Sequence, residues 1–195
     1  TLTDVHSPGE TGTFNYNATN KWYQLKHTAA DNEYVKINGL SLAQLEMLGK
    51  FMIIYPGWTS NDQFGFLIRD QSTGRYYSRG IRATSPDQLM IHRNDGANPS
   101  VTEAQVSTAS YSGDVILTST WYQLKMNAYG NSFWAWTDLE GKSTSGSDST
   151  YPGAGGCGII TGFDIESRIA FKEIVVRNYC SPEPAHGGWG GQESS

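Results

Sequence analysis

The sequence predicts an all-β protein, a two-sheet antiparallel sandwich of jelly-roll type. Short runs rich in Val, Ile, Tyr, Phe and Trp recur along the chain, each bounded by Gly, Asn, Asp, Ser or Pro clusters. Charged residues make up only 17% while aromatics reach 12% and glycines number 22, a composition of turn-rich β structure rather than of helices or disorder. At 195 residues the chain suits one domain that buries a sizeable core without many cross-links.

In chain order, strands are expected near 21 to 27, 33 to 38, 50 to 55, 63 to 69, 75 to 82, 88 to 93, 103 to 108, 114 to 118, 120 to 127, 131 to 138, 157 to 162 and 168 to 178. Residues 40 to 49, with Leu42, Leu45, Met47 and Leu48, are the stretch suited to a helical turn. Residues 1 to 12 and 182 to 195 are too rich in Gly, Pro and Ser to build a core and read as irregular arms around a sandwich spanning 13 to 181. Trp-Tyr-Gln-Leu-Lys occurs at 22 to 26 and again at 121 to 125, but the flanks diverge at once. Two strands under similar packing demands explain this better than duplication.

The net charge of -5, from 19 acidic and 14 basic residues without long runs, argues against nucleic acid and anionic membrane as partners and leaves neutral or cationic ligands open. No apolar run approaches the ~20 residues that span a bilayer, so membrane insertion is not expected. A start at Thr1 without Met, a pair of cysteines and the glycosylation sequon at Asn17 together predict an extracellular or cell-surface location.

The segment from Trp121 to Asp138 carries the sharpest functional signal. Tyr122, Leu124 and Met126 alternate with Trp121, Gln123 and Lys125, and Phe133, Ala135 and Thr137 alternate with Trp134, Trp136 and Asp138. A hairpin turn centred on Tyr129 and Gly130 sets Met126 opposite Phe133 and Leu124 opposite Ala135, making that face core. The other face then holds Trp121, Gln123, Lys125, Trp134, Trp136 and Asp138. Three indoles with an amide, a cation and a carboxylate suit the apolar faces and hydroxyl edges of a sugar. Cover by loops, or packing on another subunit, explains the same pattern.

Three weaker candidates join them. Trp58 sits on a loop, where an indole has less structural reason to be. Tyr76 and Arg79 belong to a hairpin, residues 64 to 82, whose arginines and tyrosines suit a carboxylate or a stacked ring. A solvated edge carrying Arg69 and Asp70 is the plainer reading of that hairpin. Near the C-terminus, strands 157 to 162 and 168 to 178 flank a short turn. Pairing across it brings Cys157 to Cys180, a disulfide staple worth about 3 kcal/mol.

Catalytic patterns are scarce. Nothing spaces Glu-x-Asp-x-x-Glu as sandwich glucanases do, and Asp164 and Glu166 fall in a turn. His6, His27, His92 and His186 lie far apart without metal-ligand spacing. No cofactor is required, although scattered oxygen ligands are compatible with a structural calcium at no assigned position.

Taken in order, Gly65-Phe66-Leu67-Ile68-Arg69-Asp70, Gly74-Arg75-Tyr76-Tyr77, Thr120-Trp121-Tyr122-Gln123-Leu124-Lys125, Gly130-Asn131-Ser132-Phe133-Trp134-Ala135-Trp136-Thr137-Asp138, Asp148-Ser149-Thr150-Tyr151-Pro152, Gly155-Gly156-Cys157-Gly158-Ile159 and Phe171-Lys172-Glu173-Ile174-Val175-Val176 resemble the concanavalin A-like lectin/glucanase jelly roll, in its laminin G-like form on secreted or surface microbial proteins. The resemblance covers about residues 50 to 178. It implies two antiparallel sheets, glycan contact on the concave sheet or its rim, and often a structural calcium, with Glu173 standing where such modules commonly carry Asp. Three functions follow as expectations: a secreted non-catalytic carbohydrate-binding domain; a subunit of an extracellular filament or surface layer that self-assembles by exchanging its N- or C-terminal arm; and a polysaccharide hydrolase or lyase.

Overall fold

The computed structural model describes residues 2–5, 13–26, 32–54, 63–71, 75–95, 103–162 and 168–179. Their strands are β1 (Leu2–Val5), β2 (Thr13–Asn17), β3 (Trp22–Lys26), β4 (Asn32–Ile37), β5 (Leu45–Ile53), β6 (Gln63–Asp70), β7 (Arg75–Arg82), β8 (Gln88–Asp95), β9 (Glu103–Ser110), β10 (Trp121–Tyr129), β11 (Ser132–Thr137), β12 (Ser143–Ser147), β13 (Gly156–Gly162) and β14 (Arg168–Asn178). They form two seven-stranded antiparallel sheets: sheet A in the order β1-β4-β13-β6-β7-β8-β9, and sheet B in the order β12-β11-β10-β5-β14-β3-β2. The inner faces bury Leu25, Phe51, Phe64, Phe66, Tyr77, Leu124, Met126, Phe133, Ile159 and Phe171 in one core, as the two-sheet expectation requires. No helix among the described residues is long and apolar enough to cross a membrane.

Several elements depart from the sequence reading. The expected helical turn at 40 to 49 gives way to β5, because β10 and β14 flank it and satisfy its backbone on both sides. The expected strand at 114 to 118 is a loop. There the buried Asp87 carboxylate accepts the Val115 and Ile116 N–H groups at 2.7 and 2.9 Å. β1, β2 and β12 are additional strands at sheet edges, too short or too polar to declare themselves locally. β1 pairs in register with β4, Leu2 opposite Ile37 and Val5 opposite Tyr34, so residues 2–5 are not a free arm. Residues 182 to 195 lie outside the described residues.

The staple is also corrected. β13 joins β4 and β6 in sheet A, whereas β14 joins β3 and β5 in sheet B, so the chain crosses between sheets instead of forming a hairpin. Cys157 is a free thiol buried in the core, and burial pushes its pKa up to about 11. Cys180, Asp164 and Glu166 lie outside the described residues.

Candidate functional site

The β10–β11 hairpin turns at Gly130 and Asn131. Ala128 faces Phe133, Met126 faces Ala135 and Leu124 faces Thr137, a register two residues from the expected one. Gly130 has φ +54, a conformation that favours glycine at the first position of a two-residue turn. Because the shift is even, both faces keep their side chains: Tyr122, Leu124, Met126, Phe133, Ala135 and Thr137 are buried, as expected. Trp121, Gln123, Lys125, Trp134 and Trp136 stand half-buried on the outer face of sheet B. Asp138, just past the strand end, is exposed, and its carboxylate accepts the Gln123 N–H at 2.8 Å.

The three indoles are not equivalent. Trp121 stands in cross-strand register with Met52 and, beyond it, Ala170, both of them buried. The Lys172 ammonium caps its ring at 4.3 Å, and Trp22 packs against it with centroids 5.5 Å apart. These two indoles, the first residues of the repeated pentapeptide, roof part of the sheet. Trp134 carries Lys125 Nζ at 5.6 Å from its ring. Trp136 has no ring or cation contact among the described residues. It lies opposite Lys125 on one side and Ser143 of the edge strand β12 on the other. β12 presents Ser143, Ser145 and Ser147, all exposed, so that strand places no bulky side chain beside the neighbouring indoles.

Beside Trp134 opens a cleft of about 530 Å³ lined by Lys125, Asn127, Tyr129, Ser132, Phe133, Ser145 and Tyr179. Tyr129 and Tyr179 meet edge to face at 6.2 Å on its rim. The sequence pattern marks neither tyrosine, nor Trp22, nor Glu46, Lys50, Lys172 and Arg177 of this face; the pentapeptide repeat is the signal that points to Trp22. Glu46 is nearly buried and binds two cations, Lys125 Nζ at 2.6 Å and Arg177 Nε at 2.7 Å. Glu173 does likewise, with Lys50 Nζ at 2.7 Å and Lys172 Nζ at 3.9 Å. The Lys50 ammonium beside Glu173 holds its carboxyl below the usual range.

The remaining sequence candidates lie elsewhere. Tyr76 is buried outside sheet A against Tyr34, Leu67 and Ile160, and its hydroxyl accepts from Asn94 Nδ2 at 3.2 Å, so it offers no surface to a ligand. Arg79 lies in β7 opposite Phe66, with its side chain outside the described residues, as is Trp58. Asn17 ends β2, where its Oδ1 accepts the Asn20 N–H at 3.0 Å. No three His, Cys, Asp or Glu residues converge on a metal position among the described residues, and Glu173 is held by lysines.

Two polar clusters support the hairpin from behind. Arg69, expected on a solvated edge, is fully buried with φ +52. Its guanidinium donates to Ala43 O at 2.6 and 2.9 Å, to Gly130 O at 2.5 Å and to Tyr151 O at 3.4 Å, and lies 5.1 Å from the Phe133 ring. Desolvation lowers its pKa. Nearby, the Asp148 carboxylate accepts from Tyr77 Oη at 2.7 Å, from the Thr150 N–H at 2.8 Å and from Arg93, which also grips Asp95 through Nε and Nη2 at 2.7 and 2.8 Å. Burial opposes ionisation of Asp148, but these donors outweigh it and hold its pKa down to about 2.

That depression has a pH consequence. The native pKa lies below the unfolded value, so the stabilisation is complete above about pH 4 and is lost as pH falls towards 2. Wild type should lose about 1–2 kcal/mol more than Asp148→Asn across this window in urea titrations, after allowance for solvent screening. Identical slopes would show that Asp148 is not the group responsible.

No family model matches the chain, and no curated protein matches it in sequence. Solved structures do resemble it. A carbohydrate-binding module, CBM66, from Bacillus subtilis superposes with a TM-score of 0.67 at 12% identity, over 91% of this chain and 95% of its own. A Bacillus subtilis protein of unknown function with a galectin-like fold gives 0.59 at 10% identity, over 86% and 87%. The exoplasmic/lumenal domain of VIP36, in a Ca2+/Man3GlcNAc-bound form, gives 0.53 at 8% identity, over 90% and 88%. With its two facing antiparallel sheets, its single core between them and these likenesses across nine-tenths of its length, the chain has the concanavalin A-like jelly-roll fold.

Proposed function

We propose that this chain is an extracellular, non-catalytic carbohydrate-binding domain that takes polysaccharide on the outer face of sheet B. The observation that carries the reading is Trp136, an indole without a ring or cation partner among the described residues, beside a strand that presents only serines to the same face. A half-buried indole not stacked on another ring offers the exposed part of its apolar face to a pyranose ring, while Gln123, Lys125 and Asp138 around it supply a carbonyl, an ammonium and a carboxylate to hydroxyl groups. Trp134 extends the platform towards the cleft. The carbohydrate-binding and glycan-bound character of the structural neighbours supports the same reading.

Screening a glycan array and then titrating the best polysaccharide calorimetrically tests it. Trp136→Ala should weaken binding at least 10-fold, about 1.4 kcal/mol, whereas Trp121→Phe should change it less than threefold. An array on which no glycan is retained would overturn the reading.

A further inference from the structure

The charge of the outer face of sheet B runs against that of the chain. Six cations, Lys26, Lys50, Lys125, Arg168, Lys172 and Arg177, occupy outward register positions on β3, β5, β10 and β14. Against them, the described residues of this face place Glu46 and Glu173, with Asp138 at the rim. The chain as a whole carries 19 acidic and only 14 basic residues, so the cations have gathered on the face that holds the unstacked indole. Each carboxylate is also shared. Glu46 serves both Lys125 and Arg177, and Glu173 serves both Lys50 and Lys172. Lys50 and Lys172 are direct cross-strand neighbours, an arrangement of like charges that costs stability unless an anion lies between them. Glu173 fills that role from a bulge, with its side chain 56% exposed, where an incoming anion can replace it.

The geometry points to an anionic polysaccharide, carrying carboxylate or sulfate groups, as the ligand of this face. The inference rests on the glycan-binding reading and specifies it. Trp136 on β11, Gln123 and Lys125 on β10, Lys50 on β5 and Lys172 on β14 form a track across four adjacent strands, about 14 Å at the usual strand spacing. One sugar ring stacks on Trp136, and the acid group of a later residue takes the place of Glu173 between Lys50 and Lys172. The ligand is then recognised by charge that the net value of -5 conceals, since local fields depend on where charges sit rather than on their sum.

The test is calorimetric titration of the full chain with two matched pairs: polygalacturonate against its methyl ester, and dextran sulfate against dextran. At low salt the charged member of at least one pair should bind 10-fold or more tightly than its neutral partner, and the pair that does so identifies the acid group. Raising NaCl from about 20 to about 300 mM should erase most of that difference. Lys50→Gln/Lys172→Gln should erase it too while leaving the neutral polymer unaffected, and Trp136→Ala should weaken both members. Equal binding within both pairs overturns the anionic inference and leaves glycan binding standing, whereas failure to bind any of the four polymers, together with an empty glycan array, overturns both. Duplex DNA bound as tightly as the charged polymers, and insensitive to Trp136→Ala, also overturns the inference in favour of a general polyanion surface.

Discussion

Replacing Arg69 with methionine is expected to cost about 4 kcal/mol of unfolding free energy, or roughly 10 °C in Tm, with little change in the denaturant m value. Methionine fills the apolar part of the site but donates nothing, so the buried carbonyl of Tyr151 and the part-buried carbonyls of Ala43 and Gly130 lose their partner at once. Each such group costs on the order of 1–3 kcal/mol when left without a donor in the interior. The strained backbone is common to both side chains, since φ is +52 at residue 69 either way, and cancels from the comparison. Arg69→Lys separates charge from shape. One ammonium cannot span carbonyls that arrive from three separate segments, so lysine should recover less than half the loss. Because Gly130 O is one of the acceptors, the turn carrying the indole-bearing hairpin loosens with it, and glycan affinity should fall alongside stability. An Arg69→Met variant within about 1 kcal/mol of wild type would show that water replaces the guanidinium and that the cluster is not a structural link.

Gly158→Ala should be nearly as damaging, about 3 kcal/mol, for a purely steric reason. Gly158 lies in β13, opposite Lys36 of β4 and Leu67 of β6. A Cβ at this position would approach Val35 O at 2.1 Å, Val35 C at 3.0 Å and Lys36 Cα at 3.1 Å. All three are backbone atoms of a neighbouring strand, which can retreat only by breaking the ladder. Gly49→Ala is the informative contrast. Its closest contact, 2.2 Å, is Ile174 Cδ1, the end of a side chain that can rotate away. It should cost no more than about 1 kcal/mol, and Gly49→Ala/Ile174→Val should cost less than the sum of its parts. Equal losses for Gly158→Ala and Gly49→Ala in urea unfolding would mean that β13 and β4 are not held as closely as the structure has them.

Much of the fold is legible because burial writes itself into strands with a period of two. Tyr122, Leu124 and Met126, and then Phe133 and Ala135, announce the inner face of β10 and β11 even though the turn lies one residue beyond the expected one, since an even slip in register preserves alternation. β1, β2 and β12 are hidden for the opposite reason. Edge strands take their hydrogen bonds from a single neighbour and show little apolar pattern, as the Ser-Thr-Ser-Gly-Ser of β12 illustrates. Arg69 is hidden because an arginine beside an aspartate in a hairpin looks solvated. Its burial depends on carbonyls supplied by residues 43, 130 and 151, which nothing local specifies.

By itself, then, the sequence determined the all-β class and the two faces of the central hairpin. Only the tertiary structure decided that β13 and β14 part into opposite sheets, leaving Cys157 without the expected cross-strand partner. It alone divided the indoles, placing Trp121 beneath Lys172 and Trp22 while leaving Trp136 beside serines, and it alone gathered six cations on the same face. Alternation tells a strand which side faces the core. It does not name the strand's neighbours, and the chemistry of a sheet surface is made by residues that are neighbours only across strands.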